Sequence, residues 1–82
     1  MKETSIYRIE VIWDDEVSVW IATSEDIPGL VTEADTMESL VKKLRTMIPE
    51  LLIANRLISS EQPLKVSFEI ISRRLELVNV DS

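Results

Sequence analysis

The chain has 82 residues, of which 45% are hydrophobic, with one Gly and three Pro; a chain of this size and composition builds one hydrophobic core and is neither disordered nor divided into two domains. It contains no Cys and no His, which excludes disulfides, thiolate metal sites, thiol nucleophiles and imidazole catalysis. Its formal charge of −6 is uneven, with ten acids and two bases in residues 1–38 against five acids and seven bases in residues 39–82, a field that repels phosphate backbones and speeds encounter with a basic partner.

Tyr7, Ile9, Val11 and Trp13 alternate with Arg8, Glu10 and Ile12, the period of two that marks a half-buried strand, here over about residues 5–13. Asp14, Asp15 and Glu16 supply a polar turn of three or four residues. Val17, Val19 and Ile21 then alternate with Ser18, Trp20 and Ala22 as the returning strand of a hairpin. Ser24-Glu25-Asp26-Ile27-Pro28-Gly29 is the clearest punctuation in the chain. Pro28 presets φ and Gly29 accepts a positive φ, as a type II turn demands, and a short third strand follows near Leu30 to Thr32. Asp35 or Thr36 caps a helix, and Asp35 with Glu38 has the spacing of a capping box. Met37, Leu40, Val41, Leu44, Met47, Ile48, Leu51 and Leu52 follow the i, i+3, i+4 rhythm of one helical face. Pro49 falls inside this pattern, where it removes a backbone hydrogen bond and clashes with the preceding turn. The stripe stays in phase beyond it, so a bent helix or a brief break is expected, with two short helices as the alternative. Ser59, Ser60, Glu61 and Pro63 form a loop, and Val66, Phe68 and Ile70 alternate with Lys65, Ser67 and Glu69 as a fourth strand. The tail from Arg73 to Val80 keeps a strand-like composition and either extends that strand or pairs with another subunit.

This is an α+β domain of order β-β-β-α-β. A right-handed crossover through the helix lays the fourth strand parallel to the first and gives a four-stranded mixed sheet of order 3-2-1-4, with the helix on one face. One domain spans residues 1–82, with a core over about 5–72 and a tail at 73–82. The helix-facing side is expected to carry Tyr7, Ile9, Val11, Val17, Val19, Ile21, Val66, Phe68 and Ile70. The open side then carries Arg8, Glu10 and Glu69 together with Ile12, Trp20, Ala22 and Ile71, more apolar surface than a solvated face usually shows. Trp13 is in phase with the core. Trp20 is out of phase and is the type of residue that anchors interfaces, so it is assigned to partner or subunit contact.

No GxSxG, Walker loop or GxGxxG is present, which leaves carboxylates as the remaining candidate catalysts. Asp14, Asp15 and Glu16 are adjacent on an exposed turn, point different ways and read as solvated. Glu10 and Glu69 on neighbouring strands could form a two-carboxylate metal site of a hydrolase; the plainer reading is two surface acids near Arg8 and Lys65. No catalytic residue, metal or cofactor is expected. Arg73 and Arg74 are too few for a nucleic-acid patch and read as a solvated end or as a contact with a neighbouring subunit's acids. The longest apolar run, Met47 to Ile58, is interrupted by Pro49, Glu50, Asn55 and Arg56 and cannot span a bilayer. No apolar stretch follows the lysine of Met1-Lys2-Glu3-Thr4-Ser5 as a signal peptide would require, and a cytoplasmic location is expected.

Trp13-Asp14-Asp15-Glu16, Val19-Trp20-Ile21-Ala22-Thr23-Ser24, Asp26-Ile27-Pro28-Gly29-Leu30, Ala34-Asp35-Thr36 before the helix, and Ile48-Pro49-Glu50-Leu51-Leu52 within it together resemble the HicB antitoxin family. The similarity is greatest to a short branch of uncharacterised HicB-related domains and covers about residues 5–57. The resemblance implies a fold related to part of ribonuclease H without that enzyme's catalytic carboxylates, homo-oligomers, and neutralisation of a small basic HicA-type toxin that degrades messenger RNA through a His. On this reading the chain is a protein-binding module and not an enzyme. Its partner-binding residues are Asp14, Asp15, Glu16, Trp20, Glu25 and Asp26, and its oligomer contacts are Ile12, Ile71, Arg73, Leu75 and Leu77. The acidic N-terminal half suits a basic partner independently of the resemblance. Many HicB proteins carry an operator-binding segment after the helix, where this chain has a strand and a tail, so no direct nucleic-acid binding is expected of it alone. The alternatives are the metal-dependent hydrolase built on Glu10 and Glu69, and a purely structural oligomerisation domain.

Overall fold

Alternation of apolar and polar residues carries Ile6–Asp14 into a nine-residue strand, β1, from which the rest of the sheet is built. The computed structural model describes residues 6–59 and 65–81. β2 (Val19–Thr23) returns antiparallel to β1, and β3 (Val31–Ala34) lies antiparallel to β2. The chain then enters α1 (Met37–Ala54) and closes with β4 (Ser67–Arg73), parallel to β1. The resulting order, β3-β2-β1-β4 with one helix, is the expected α+β architecture. Most of the expected loop at Ser60, Glu61 and Pro63 lies outside the described residues.

The hairpin turn decides which residues face the helix. Asp14 pairs with Val19 across a four-residue turn, Asp15 to Ser18. Ser18 N–H bonds the Asp14 carbonyl at 2.8 Å, and Ser18 itself sits in the left-handed region at φ 58°. Directly opposed residues of an antiparallel pair share a face, so Trp20 stands with Trp13 and Ala22 with Val11. This corrects the expected phase of β2. Trp20 and Ala22 lie on the helix side, Val19 and Ile21 lie on the open side, and Val17 belongs to the turn and is exposed. β2 is apolar on both faces, so its composition carried no information about phase; the length of the turn did.

The core follows from this register. Ile9, Val11, Ala22 and Ala34 from the strands meet Leu40, Leu44, Ile48 and Leu52, a strict i, i+4 stripe of α1, and all are buried. α1 lies over β2 and β3, where Ala22 and Ala34 have no side chain large enough to hold it off. Tyr7, Phe68 and Ile70, on the β1–β4 flank, are only half-buried. The turn after β2 contributes more than a change of direction. Ile27 and Leu30 close the core beneath the helix's C-terminal half, while Gly29 at φ +85° and the Leu30 N–H to Ile27 carbonyl bond of 3.2 Å complete the expected turn around Pro28. Asn55 ties the two together, its Nδ2 donating to the carbonyls of Pro28 at 3.1 Å and Leu51 at 2.8 Å.

α1 runs unbroken through Pro49, which is exposed, so neither a break nor two helices forms. Its N-cap is Thr36, whose Oγ1 accepts from Ser39 N–H at 3.1 Å. Asp35 lies one residue before the cap, so the Asp35–Glu38 capping-box spacing is displaced from the observed register. At the other end Arg56 adopts φ 60°, with Arg56 N–H bonded to the Ile53 carbonyl and Leu57 N–H to that of Leu52. This is a Schellman motif with Arg where Gly is usual. Among the described residues no helix is long and apolar enough to cross a membrane.

Candidate functional site

The residues expected to bind a partner do not form one patch. Asp14, Asp15 and Glu16 occupy the hairpin end of the sheet, whereas Glu25 and Asp26 follow β2 at the opposite end, beside Arg8. Six residue steps along β1 separate Arg8 from Asp14, about 20 Å at the rise of an extended strand.

At the Arg8 end the acids are partly committed to the fold. Asp26 Oδ2 accepts from Arg8 N–H at 2.8 Å, Ser24 Oγ donates to the Arg8 carbonyl at 2.5 Å, and Asp26 N–H returns to Ser24 Oγ at 3.1 Å. The ladder between β1 and β2 is thus prolonged past Thr23 by side chains standing in for backbone. Asp26 therefore holds the sheet together, and Glu25 beside it is exposed.

The hairpin end is built differently. Asp14 Oδ1 accepts from Glu16 N–H at 3.0 Å, closing a local turn, and Asp15 Oδ1 accepts from Trp13 Nε1 at 3.3 Å. These bonds aim the turn without neutralising it. Among the described residues no Lys or Arg forms an ion pair with Asp14, Asp15 or Glu16; the pairs present are Arg8–Glu69 and Arg74–Glu76.

Behind the acids stands a stack that sequence reading did not anticipate. Trp13 and Trp20 meet edge to face with ring centroids 5.1 Å apart, and the Arg74 guanidinium lies 4.3 Å from the Trp13 centroid and 5.8 Å from that of Trp20. Arg74 also pairs with Glu76. The register explains the meeting, since β4 runs parallel to β1 with Arg73 opposite Ile12, which brings Arg74 level with Trp13. Arg74 is accordingly a cation–π cap on its own chain's aromatic pair, in place of the solvated end expected of it. Trp20 packs against the core and does not belong to the open face. A cleft of about 380 Å³ remains between Trp13 and Asp15 on one side and Leu75, Glu76 and Leu77 on the other.

Other expected positions fall on the open face and the tail. Ile12 and Ile71 are exposed there, joined by Ile6 and Val31, and Arg73 stands opposite Ile12. Leu75 and Leu77 follow β4 in a segment without regular secondary structure and are exposed. Glu10 and Glu69 are not opposed: Glu10 faces Ile71, while Glu69 faces Arg8 and pairs with its Nε at 3.8 Å. Among the described residues no three acids come together in a way that could hold a metal ion. Glu69 is thus engaged by Arg8 and is not set opposite Glu10.

No curated protein matches the chain. Among solved structures it is similar to a hypothetical protein from the extremely thermophilic bacterium Thermus thermophilus, with a TM-score of 0.69 and 36% identity over 90% of this chain and 100% of that one. The family described as "Domain of unknown function (DUF1902)" matches residues 6–80. With nearly all of its length inside that match, the chain belongs to the DUF1902 family.

Proposed function

We propose that this domain is a cytoplasmic, non-catalytic protein-binding module of the antitoxin type, which masks a small basic partner such as a HicA-type toxin that degrades messenger RNA. The observation that carries the reading is the hairpin end of the sheet, where Asp14, Asp15 and Glu16 stand together without an ion-pair partner among the described residues. The Asp15 carboxylate is held by Trp13 and that of Asp14 by the turn's own backbone, so a basic surface meets an acidic edge that is partly preset, at reduced ordering cost. The net charge of −6 extends that attraction beyond contact range. The resemblance of the Trp13–Glu16, Asp26–Leu30 and Ala34–Thr36 segments to HicB antitoxins supplies the class of partner. Glu25 adds a second exposed acid at the far end of the sheet, too distant to share one small contact with the hairpin.

The test is co-expression with a small basic His-containing protein encoded beside the chain's own reading frame. Relief of that protein's growth arrest and of its messenger-RNA cleavage is expected. Combined Asp14→Lys, Asp15→Lys and Glu16→Lys should lower affinity and flatten its salt dependence. Unchanged affinity and salt dependence in the triple variant would remove the hairpin from the reading.

A further inference from the structure

The segment after β4 presents four large apolar side chains almost wholly to solvent: Leu75 is 88% exposed, Leu77 93%, Val78 80% and Val80 88%. Single exposed apolar residues are ordinary, but four within six positions form a patch that a soluble chain covers with something. The segment is rich in residues that favour strands, and its root is held by Arg74 on the Trp13 ring.

The two edges of the sheet are not equally open to another strand. β3 is four residues long, and the carbonyl of Glu33 is already taken by Lys43 Nζ at 2.6 Å. A short edge carrying a charged side chain on its backbone is blunted against pairing. β4 is seven residues long; among the described residues it pairs with no strand besides β1, and no side chain bonds its other edge. Its helix-side flank is also incompletely covered, because α1 lies over β2 and β3 and leaves Phe68 and Ile70 half-buried.

We infer that residues 70–80, the end of β4 and the tail, pair antiparallel with the same segment of a second copy of this chain, about a two-fold axis at Leu75, joining the two sheets edge to edge. Arg74 and Glu76 favour this register, while Glu69, already held by Arg8, and Asp81 lie beyond the ends of the paired stretch. With the axis at Leu75, Arg74 of each copy stands opposite Glu76 of the other, so each arginine gains a second carboxylate beside the one it already holds. Axes at Arg73 or Arg74 would instead set like charges against each other. Residues of even number continue the helix-side face on which Arg74 already lies. Val80 therefore arrives opposite Ile70 and Val78 opposite Ser72 of the second copy, covering the flank that α1 leaves open. On the open face Leu75 meets Leu75. The contact is isologous, as a two-fold requires, and it does not depend on the antitoxin reading.

The chain contains no Cys, so Leu75→Cys offers a clean probe. Opposed Cβ atoms of an antiparallel pair lie about 4.5–5.5 Å apart, close enough for a small adjustment to bring them to disulfide distance. Mild oxidation of the otherwise unaltered full chain should give a covalent dimer of twice the 9.4 kDa chain mass, while Val17→Cys in the hairpin turn stays monomeric under the same conditions. By light scattering, the wild-type chain should be a dimer at micromolar concentration. Glu76→Arg should weaken it about tenfold or more, and Arg74→Glu with Glu76→Arg should restore it. A wild-type monomer throughout the micromolar range would overturn the inference. Cross-linking of Leu75→Cys no faster than that of Val17→Cys would also overturn it.

Discussion

Ala22 is fully buried, opposite Val11 on one side and Thr32 on the other, with α1 directly above. Replacing it by Leu adds three carbon atoms to a position that already has no free surface, and overpacking of this kind costs about 1–3 kcal/mol, occasionally more. A domain of this length has roughly 4–12 kcal/mol in total at 0.05–0.15 kcal/mol per residue, so the loss is a large share of it. Each kcal/mol shifts Tm by about 4–8 °C in domains of this size, and a Tm lower by about 4–24 °C is expected. Ile21, the next residue, lies on the open face and is half-buried. Ile21→Ala gives up only part of the roughly 1.5–3 kcal/mol that complete burial of an aliphatic side chain supplies, so a loss of about 1 kcal/mol is expected. Urea unfolding followed by tryptophan fluorescence, with a thermal melt by circular dichroism, measures both variants. If Ala22→Leu melts with the wild type and Ile21→Ala is the more damaging change, the register placing Ala22 under the helix is wrong.

Three further outcomes follow from the local geometry. Thr36→Ala should cost about 0.5–2 kcal/mol by removing the oxygen that receives Ser39 N–H, while Asp35→Ala should cost less; the reverse order in a melt would move the cap back one residue. Asp26→Ala should destabilise by about 1.5–3 kcal/mol, the range for a hydrogen bond to a charged group, and speed hydrogen exchange at Arg8 N–H; an Arg8 amide protected as before would show that the carboxylate does not hold the strand. Ser18→Gly should stabilise the chain by up to about 1–2 kcal/mol, the cost of holding an L-residue in the left-handed region, and a lower denaturation midpoint would contradict the φ of 58° at that position.

Much of the architecture was legible along the chain because each feature had a local cause. The alternation in Tyr7–Trp13 and Val66–Ile70, the i, i+4 stripe from Leu40 to Leu52 and the Pro28-Gly29 turn each specify an element without reference to distant residues. The order 3-2-1-4 then follows from the handedness of the crossover. The candidate site was less legible. Asp26 looked like a surface acid because nothing near it in sequence shows that Arg8, 18 residues earlier, offers it a backbone N–H. Ile27 read as a turn residue and Leu30 as the start of the third strand, because their burial depends on what lies above them, here the end of α1.

The amino-acid sequence by itself determined the elements, their order and the acidity of the hairpin, since periodicity, turn chemistry and charge act over a few residues. Tertiary structure alone decided the face on which Trp20 lies, because a single residue of turn length inverts every side chain of the following strand. It also decided that Arg74 caps Trp13 and Trp20, a meeting of residues 61 and 54 positions apart that exists only because β4 returns beside β1 in one register. And it left the apolar residues of the tail exposed among the described residues, a fact about packing that no pattern along the chain could contain.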